Sequence, residues 1–150
     1  MDLILWRTAE AEEGSADLDR RLSSKGRKQC EHVAAWLDRR LPSRFTLLCS
    51  PARRALQTAE SLGMPAKPEA ALGPGSSVGR ILDCVGWPDY KGTVVAVAHQ
   101  PDLGSVLDEL LGNGKRRWSV KKGGLWWLTR RVRAEETQIV VRAVVSPELV

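Results

Sequence analysis

The feature that most constrains this chain is a short apolar run that ends in polar residues and leads into a helix-forming stretch, three times over. Asp2-Leu-Ile-Leu-Trp6 lacks the alternation of a half-exposed strand, so it reads as a strand covered on both faces, as parallel strands are. It ends at Arg7-Thr8. Ser23 offers a helix N-cap and Val33, Trp36, Leu37 and Leu41 recur at helical spacing, which predicts a helix over about 24–40, stopped by Pro42. Phe45 to Leu48 reads as a second buried strand. After it, Ser50-Pro51 opens a helix running to about Leu62, because proline in a first turn lacks only an N–H that would go unpaired. Thr93 to Ala98 is the most β-rich run; it ends at His99, and Pro101 opens a helix carrying Leu103, Val106, Leu107, Leu110 and Leu111.

Between these units, residues 63–79 hold four Gly and three Pro with no apolar period and are expected to form a loop, with a further helix over Val78 to Val85. Gly124 to Arg130 and Gln138 to Val145 read as two strands of a hairpin turning around Glu135-Glu136. The expected fold class is α/β. A mostly parallel central sheet carries helices on both faces, in three layers, and a C-terminal β-hairpin extends it. The 150 residues fit one domain, 1–150, with no linker or repeat. In such sheets ligands bind beyond the carboxyl ends of the strands, where Arg7-Thr8, Ser50 with Arg53 and Arg54, and His99-Gln100 fall.

Composition narrows the chemistry. The chain carries 23 Lys+Arg against 18 Asp+Glu, a net charge of +5 that suits anionic partners. No apolar stretch approaches the roughly 18 residues of a membrane span, and Asp2 with Arg7 spoils a signal-peptide reading, so a cytoplasmic protein is expected. Cys30, Cys49 and Cys84 are an odd set without CxxC spacing, and His32 and His99 are the only histidines; neither a disulfide framework nor a metal or other cofactor is expected.

Guanidiniums and an imidazole gathered at one sheet edge form a cationic pocket whose planar forks match phosphate oxygens. Free N–H groups at the Ser50-Pro51 helix start could add to it. The residues then carry a resemblance. Leu3-Ile-Leu-Trp-Arg7-Thr8-Ala-Glu10 is similar to the opening motif of the histidine phosphatase superfamily, in which a strand ends in Arg-His-Gly or Arg-His-Ala. Ser50-Pro-Ala-Arg-Arg54-Ala-Leu-Gln57-Thr58-Ala resembles its Ser-Pro-x-x-Arg-Ala-x-Gln-Thr-Ala motif, and Val97-Ala-His99-Gln-Pro101 its second catalytic histidine. Arg20-Arg-Leu22-Ser23-Ser-Lys-Gly26 resembles the Arg-Pro-Leu-Thr-x-x-Gly helix entry, with Arg21 where proline is usual. The phosphoglycerate mutase-like fold follows from the resemblance, and the short build without a cap insertion resembles the SixA-type phosphohistidine phosphatases.

One departure bears on the chemistry: Thr8 stands where the family has its nucleophilic histidine. The resemblance implies that this imidazole attacks phosphorus and is regenerated by water, while the arginines and second histidine hold the equatorial oxygens. It assigns the catalytic positions to Thr8, His99, Arg7 and Arg54, and phosphate or substrate contacts to Arg7, Arg54, His99, Ser50, Arg20 and Gln100. A threonine hydroxyl is almost wholly protonated near neutrality, so phosphoryl transfer is expected to be impaired and phosphate binding retained. The expected partner is a phosphohistidine-bearing protein or a small phosphate ester, met by a monomer, and a noncatalytic phosphoprotein adaptor is the alternative. Glu10 is a weaker candidate acid.

Two other readings are weaker. Cys49 and Arg54 miss the Cys, five residues, Arg spacing of the cysteine-dependent phosphatases by one place. Residues 115–133 interleave eight cations with Trp118, Trp126 and Trp127, a composition that suits single-stranded nucleic acid. Adjacent tryptophans on a strand cannot both face one ligand, however, so nucleic acid is not the expected partner.

Overall fold

The computed structural model describes residues 1–14 and 16–150. Six strands and four helices are arranged in three layers around one sheet: β1 (Asp2–Arg7), α1 (Ser24–Asp38), β2 (Thr46–Cys49), α2 (Arg53–Glu60), β3 (Lys67–Pro68), α3 (Val78–Val85), β4 (Thr93–Ala98), α4 (Asp102–Leu111), β5 (Leu125–Arg133) and β6 (Glu136–Val145). The strand order is β3-β2-β4-β1-β5-β6, with β3, β2, β4 and β1 parallel and the β5–β6 hairpin antiparallel. Among the described residues no helix is long and apolar enough to cross a membrane.

The apolar runs of β1 and β4 are uninterrupted because both faces of the sheet are covered. Ile4 and Trp6 point toward Val33, Ala34 and Leu37 of α1 and Ala55 and Ala59 of α2. Leu3 and Leu5 point the other way, toward Ile81 and Val85 of α3 and Leu103, Val106 and Leu107 of α4. Successive strand residues face opposite sides, so each layer of helices receives every second side chain. The same alternation separates the tryptophans. Trp127 packs edge-on against Trp36 of α1, and Trp126 edge-on against Trp118 on the opposite face. Trp127 and Trp126 thus pack on opposite faces of the sheet and do not present a joint stacking surface.

Several boundaries differ from the sequence expectations. The 63–79 loop contains β3, a two-residue edge strand paired with Leu48 and Cys49 and followed by a 3-10 turn over Ala70–Leu72. Its side chains are exposed, so no apolar pattern announced it. Helix α2 begins at Arg53, not at Pro51, because the Ser50 hydroxyl oxygen accepts from the Ala52 N–H and holds residues 50–52 in a turn. The hairpin turns at Ala134-Glu135, one residue earlier than expected; both have positive φ, as a two-residue turn matched to strand twist requires.

Candidate active site

Register alone brings the three polar strand ends together. In the parallel sheet Arg7 pairs with Ala98 and Cys49 with Val97, so Thr8, His99 and Ser50 emerge side by side where β2, β4 and β1 end. These are adjacent strands reached by crossovers on opposite faces, the arrangement that opens a crevice at the carboxyl edge. A cavity of about 320 Å³ lies there. Arg7, Thr8, Arg20, Arg54, His99 and Gln100 line it, with Ala9, Ala11, Asp17, Pro74 and Lys122.

Each arginine is held. Arg7 donates from Nη1 to the Val120 carbonyl at 2.7 Å, and burial lowers its pKa from the ordinary value. Arg54 is buried and donates to the Asp17 carbonyl at 2.6 Å and to Asp17 Oδ2 at 3.2 Å. Arg20 donates to the Glu12 carbonyl and to Asp17 Oδ1. Asp17 therefore bridges two of the three arginines. Desolvation works to raise its pKa, but the charge of Arg54 and the hydrogen bonds from Arg54 and Arg20 outweigh it and hold the carboxyl below its ordinary range.

His99 is 5% exposed, and burial, then the charge of Arg54, pushes its pKa down to about 4, so the ring is neutral near pH 7. Its tautomer follows from Arg54. Nδ1 lies 3.4 Å from Arg54 Nη2, and because a guanidinium only donates, Nδ1 accepts there. The ring proton is then on Nε2, which donates to the fully buried Ser50 hydroxyl at 2.7 Å, whose oxygen also accepts from Ala52 N–H. Ser50 thus stands behind the imidazole and is not among the residues lining the cavity, and its hydroxyl takes the Ala52 N–H.

The motif residues around the cavity brace its loops. Thr58 Oγ1 donates to the Arg54 carbonyl and accepts from Ala9 N–H, while Gln57 Oε1 accepts from Leu22 N–H. The second-motif Gln-Thr pair therefore ties α2 to both the 8–10 and 20–23 segments. Ser23 caps α1 by accepting from Gly26 N–H and donates to Glu10 Oε2 at 2.8 Å, which turns that carboxylate toward α1. Gln100 is likewise used by the protein, accepting from Gly104 N–H and donating to the Trp118 carbonyl. Asp17 and Lys122 went unrecognised in the sequence. They lie in irregular segments with no periodic pattern to place them, and Asp17's position three residues before Arg20 was the available hint.

Thr8 is 6% exposed. Its backbone is fixed from both sides, N–H to the Ala98 carbonyl and carbonyl to Gly123 N–H, so residue 8 is aimed at the cavity whatever its side chain. Among the described residues no side chain hydrogen-bonds the Thr8 hydroxyl, and both ring nitrogens of His99 are engaged, Nδ1 by Arg54 and Nε2 by Ser50. The Cys49 thiol is pushed up to about 11 by burial and does not line the cavity, which removes the cysteine-nucleophile reading. Chemically, the arrangement can neutralise and orient a phosphoryl group.

Comparison with known proteins agrees with this fold. The family described as histidine phosphatase superfamily (branch 1) matches residues 3–74. An uncharacterized protein of Picosynechococcus sp. is 34% identical over 139 residues, covering 83% of this chain and 82% of its own length. Among solved structures, the protein histidine phosphatase SixA complexed with tungstate aligns with a TM-score of 0.79 at 22% identity, covering 99% of both chains. Phosphoserine phosphatase of Entamoeba histolytica, in complex with 3-phosphoglyceric acid, aligns with a TM-score of 0.71 at 17% identity over 97% of this chain and 96% of that one. The fold is shared with these structures, and the chain belongs to the histidine phosphatase superfamily.

Proposed function

We propose that this chain is a SixA-type phosphohistidine phosphatase domain that retains recognition of the phosphoryl group while its turnover is strongly impaired. The observation that carries this reading is the cavity itself. Arg7, Arg20 and Arg54 line one cavity together with His99 and Thr8, and Thr8 occupies the position to which the resemblance assigns the nucleophile. Planar guanidiniums fix phosphate oxygens bidentately, which supports the binding half of the chemistry. The likeness to a SixA structure that holds tungstate, a tetrahedral oxyanion, supports the choice of guest.

The covalent half needs a nucleophile at position 8. A histidine there would present a neutral ring nitrogen of substantial nucleophilicity and form a phosphoramidate that water cleaves. The Thr8 hydroxyl has neither a base to take its proton nor a labile product, since a phosphothreonine ester is far more stable than a phosphoramidate. A noncatalytic adaptor that captures phosphorylated partners follows from the same residues, and turnover separates the two. Phosphohistidine-peptide hydrolysis by the chain and by Thr8→His is the test. Thr8→His is expected to be faster by roughly three orders of magnitude or more. Equal rates would show that position 8 is not where the nucleophile acts.

A further inference from the structure

Beside the phosphate cradle, and sharing Arg7 and Lys122 with it, runs a larger groove of about 620 Å³. One wall is α1, where Lys25, Lys28, Gln29 and His32 fall on a single face by their i, i+3, i+4 and i+7 spacing. The other wall is the segment carrying Ser119, Lys121 and Lys122, with Pro147 and Glu148 closing the end. Five cations thus meet one carboxylate, and that carboxylate is committed to Lys121 at 3.3 Å. Among the described residues no acid lies within ion-pair distance of Lys25, Lys28 or Lys122.

Two facts separate this groove from an ordinary solvated face. The first turn of α1 contains no acid and carries Lys25 and Arg27, with Lys28 directly after it, the sign that the helix dipole disfavours at an N-terminus. The opposite wall is also pinned to the site. Arg7 Nη1 holds the Val120 carbonyl, Trp6 Nε1 the Gly123 carbonyl, and Thr8's carbonyl accepts from Gly123 N–H. Gly123, at φ +72, packs where Gln29, Pro147 and Ala9 converge, and a Cβ there would approach the first two to 3.1 Å. Lys121 and Lys122 therefore project from a backbone registered to the end of β1.

We infer that this groove is a second recognition surface continuous with the cradle, and that its occupant is an acidic stretch of polypeptide flanking the phosphorylated residue of a partner protein. The inference rests on the cradle binding a phosphoryl group. The occupant follows from the form of the charge. A second phosphate would call for guanidinium forks converging on one point, as in the cradle. The groove instead spreads ammonium groups on flexible stems along two walls, over methylenes and a proline ring, which suits carboxylates distributed along an extended chain. Its greater volume is that of several residues and not of one anion.

The test uses short peptides built around a non-hydrolysable phosphohistidine analogue, one with aspartate flanks and one with serine and glycine flanks, together with orthophosphate as a probe of the cradle alone. The unmodified chain is expected to prefer the acidic-flank peptide by about tenfold at low salt. In Lys25→Glu/Lys28→Glu that preference should vanish while orthophosphate binding stays within about twofold. Lys25→Gln/Lys28→Gln serves if the charge reversals do not fold. Equal affinity of the unmodified chain for both peptides would overturn the inference, as would a parallel loss of orthophosphate and both peptides in the variants. A single-stranded oligonucleotide that displaced the acidic peptide with equal or greater affinity would also overturn it. If orthophosphate itself fails to bind, the cradle reading falls separately. The groove then stands or falls on whether the unphosphorylated acidic peptide still outcompetes its neutral counterpart.

Discussion

The Arg54 guanidinium, which can only donate, decides which ring nitrogen of His99 carries the proton. Nδ1 accepts from it and Nε2–H donates to the buried Ser50 hydroxyl, so both ring nitrogens are engaged. Nitrogen-resolved NMR of the histidine rings should show His99 as the Nε2–H tautomer near neutrality; an Nδ1–H signal would contradict the assignment. Acid stability tests the same residue. The folded-state pKa of about 4 lies below the ordinary 6.5, so protonation favours the unfolded chain. Stability is complete above pH 6.5 and falls as the pH drops toward 4, by up to about 3 kcal/mol, and His99→Gln should flatten that part of the denaturation profile. A wild-type profile with the same acid slope as the variant would show that His99 is not the group responsible. Arg7, Arg54 and His99 were legible in the sequence because each follows an apolar run that had to be a strand. The role of Ser50 was not, since only the fold shows that its hydroxyl faces an imidazole 49 residues away.

Two helix glycines mark places where an element leans on a backbone. A Cβ on Gly26 in the first turn of α1 would overlap the Glu10 carbonyl oxygen, and one on Gly104 in α4 would overlap the Trp118 carbonyl oxygen. In both cases the neighbour is main chain and cannot rotate away. Gly104→Ala is therefore expected to destabilise the fold by about 1–3 kcal/mol despite better helix propensity. Denaturant unfolding at unchanged m-value is the measurement, and a neutral or stabilising result would mean that the 118–124 segment is free to shift. Long periodic elements were readable: α1, α3, α4, β1 and β4 follow from spacing and caps. The exposed pair Lys67-Pro68 of β3 carries no signal, and the start of α2 was misplaced because Ser50 spends its side chain on the Ala52 N–H and the His99 ring instead of capping a helix.

At the scale of the molecule, the +5 net charge is organised, with three guanidiniums inside the cradle and the lysines of the groove beside it. The α/β class and the hairpin extension were written in the alternation of runs and helical stretches. The sheet order that sets β4 between β2 and β1 was not, because local pattern does not record which strand lies next to which. That order is what makes distant residues neighbours, and an anion tests it directly. Thermal unfolding should be followed with orthophosphate titrated into the unmodified chain, Arg54→Ala and the exposed-neighbour control Arg53→Ala. At a hundredfold excess over the dissociation constant, binding should stabilise the unmodified chain and the control by about 2.7 kcal/mol, a rise of several degrees in Tm for a domain of this size. Arg54→Ala should show no such rise. A melting temperature indifferent to phosphate in all three, or raised equally in Arg54→Ala, would contradict a phosphate cradle at the carboxyl edge of the sheet.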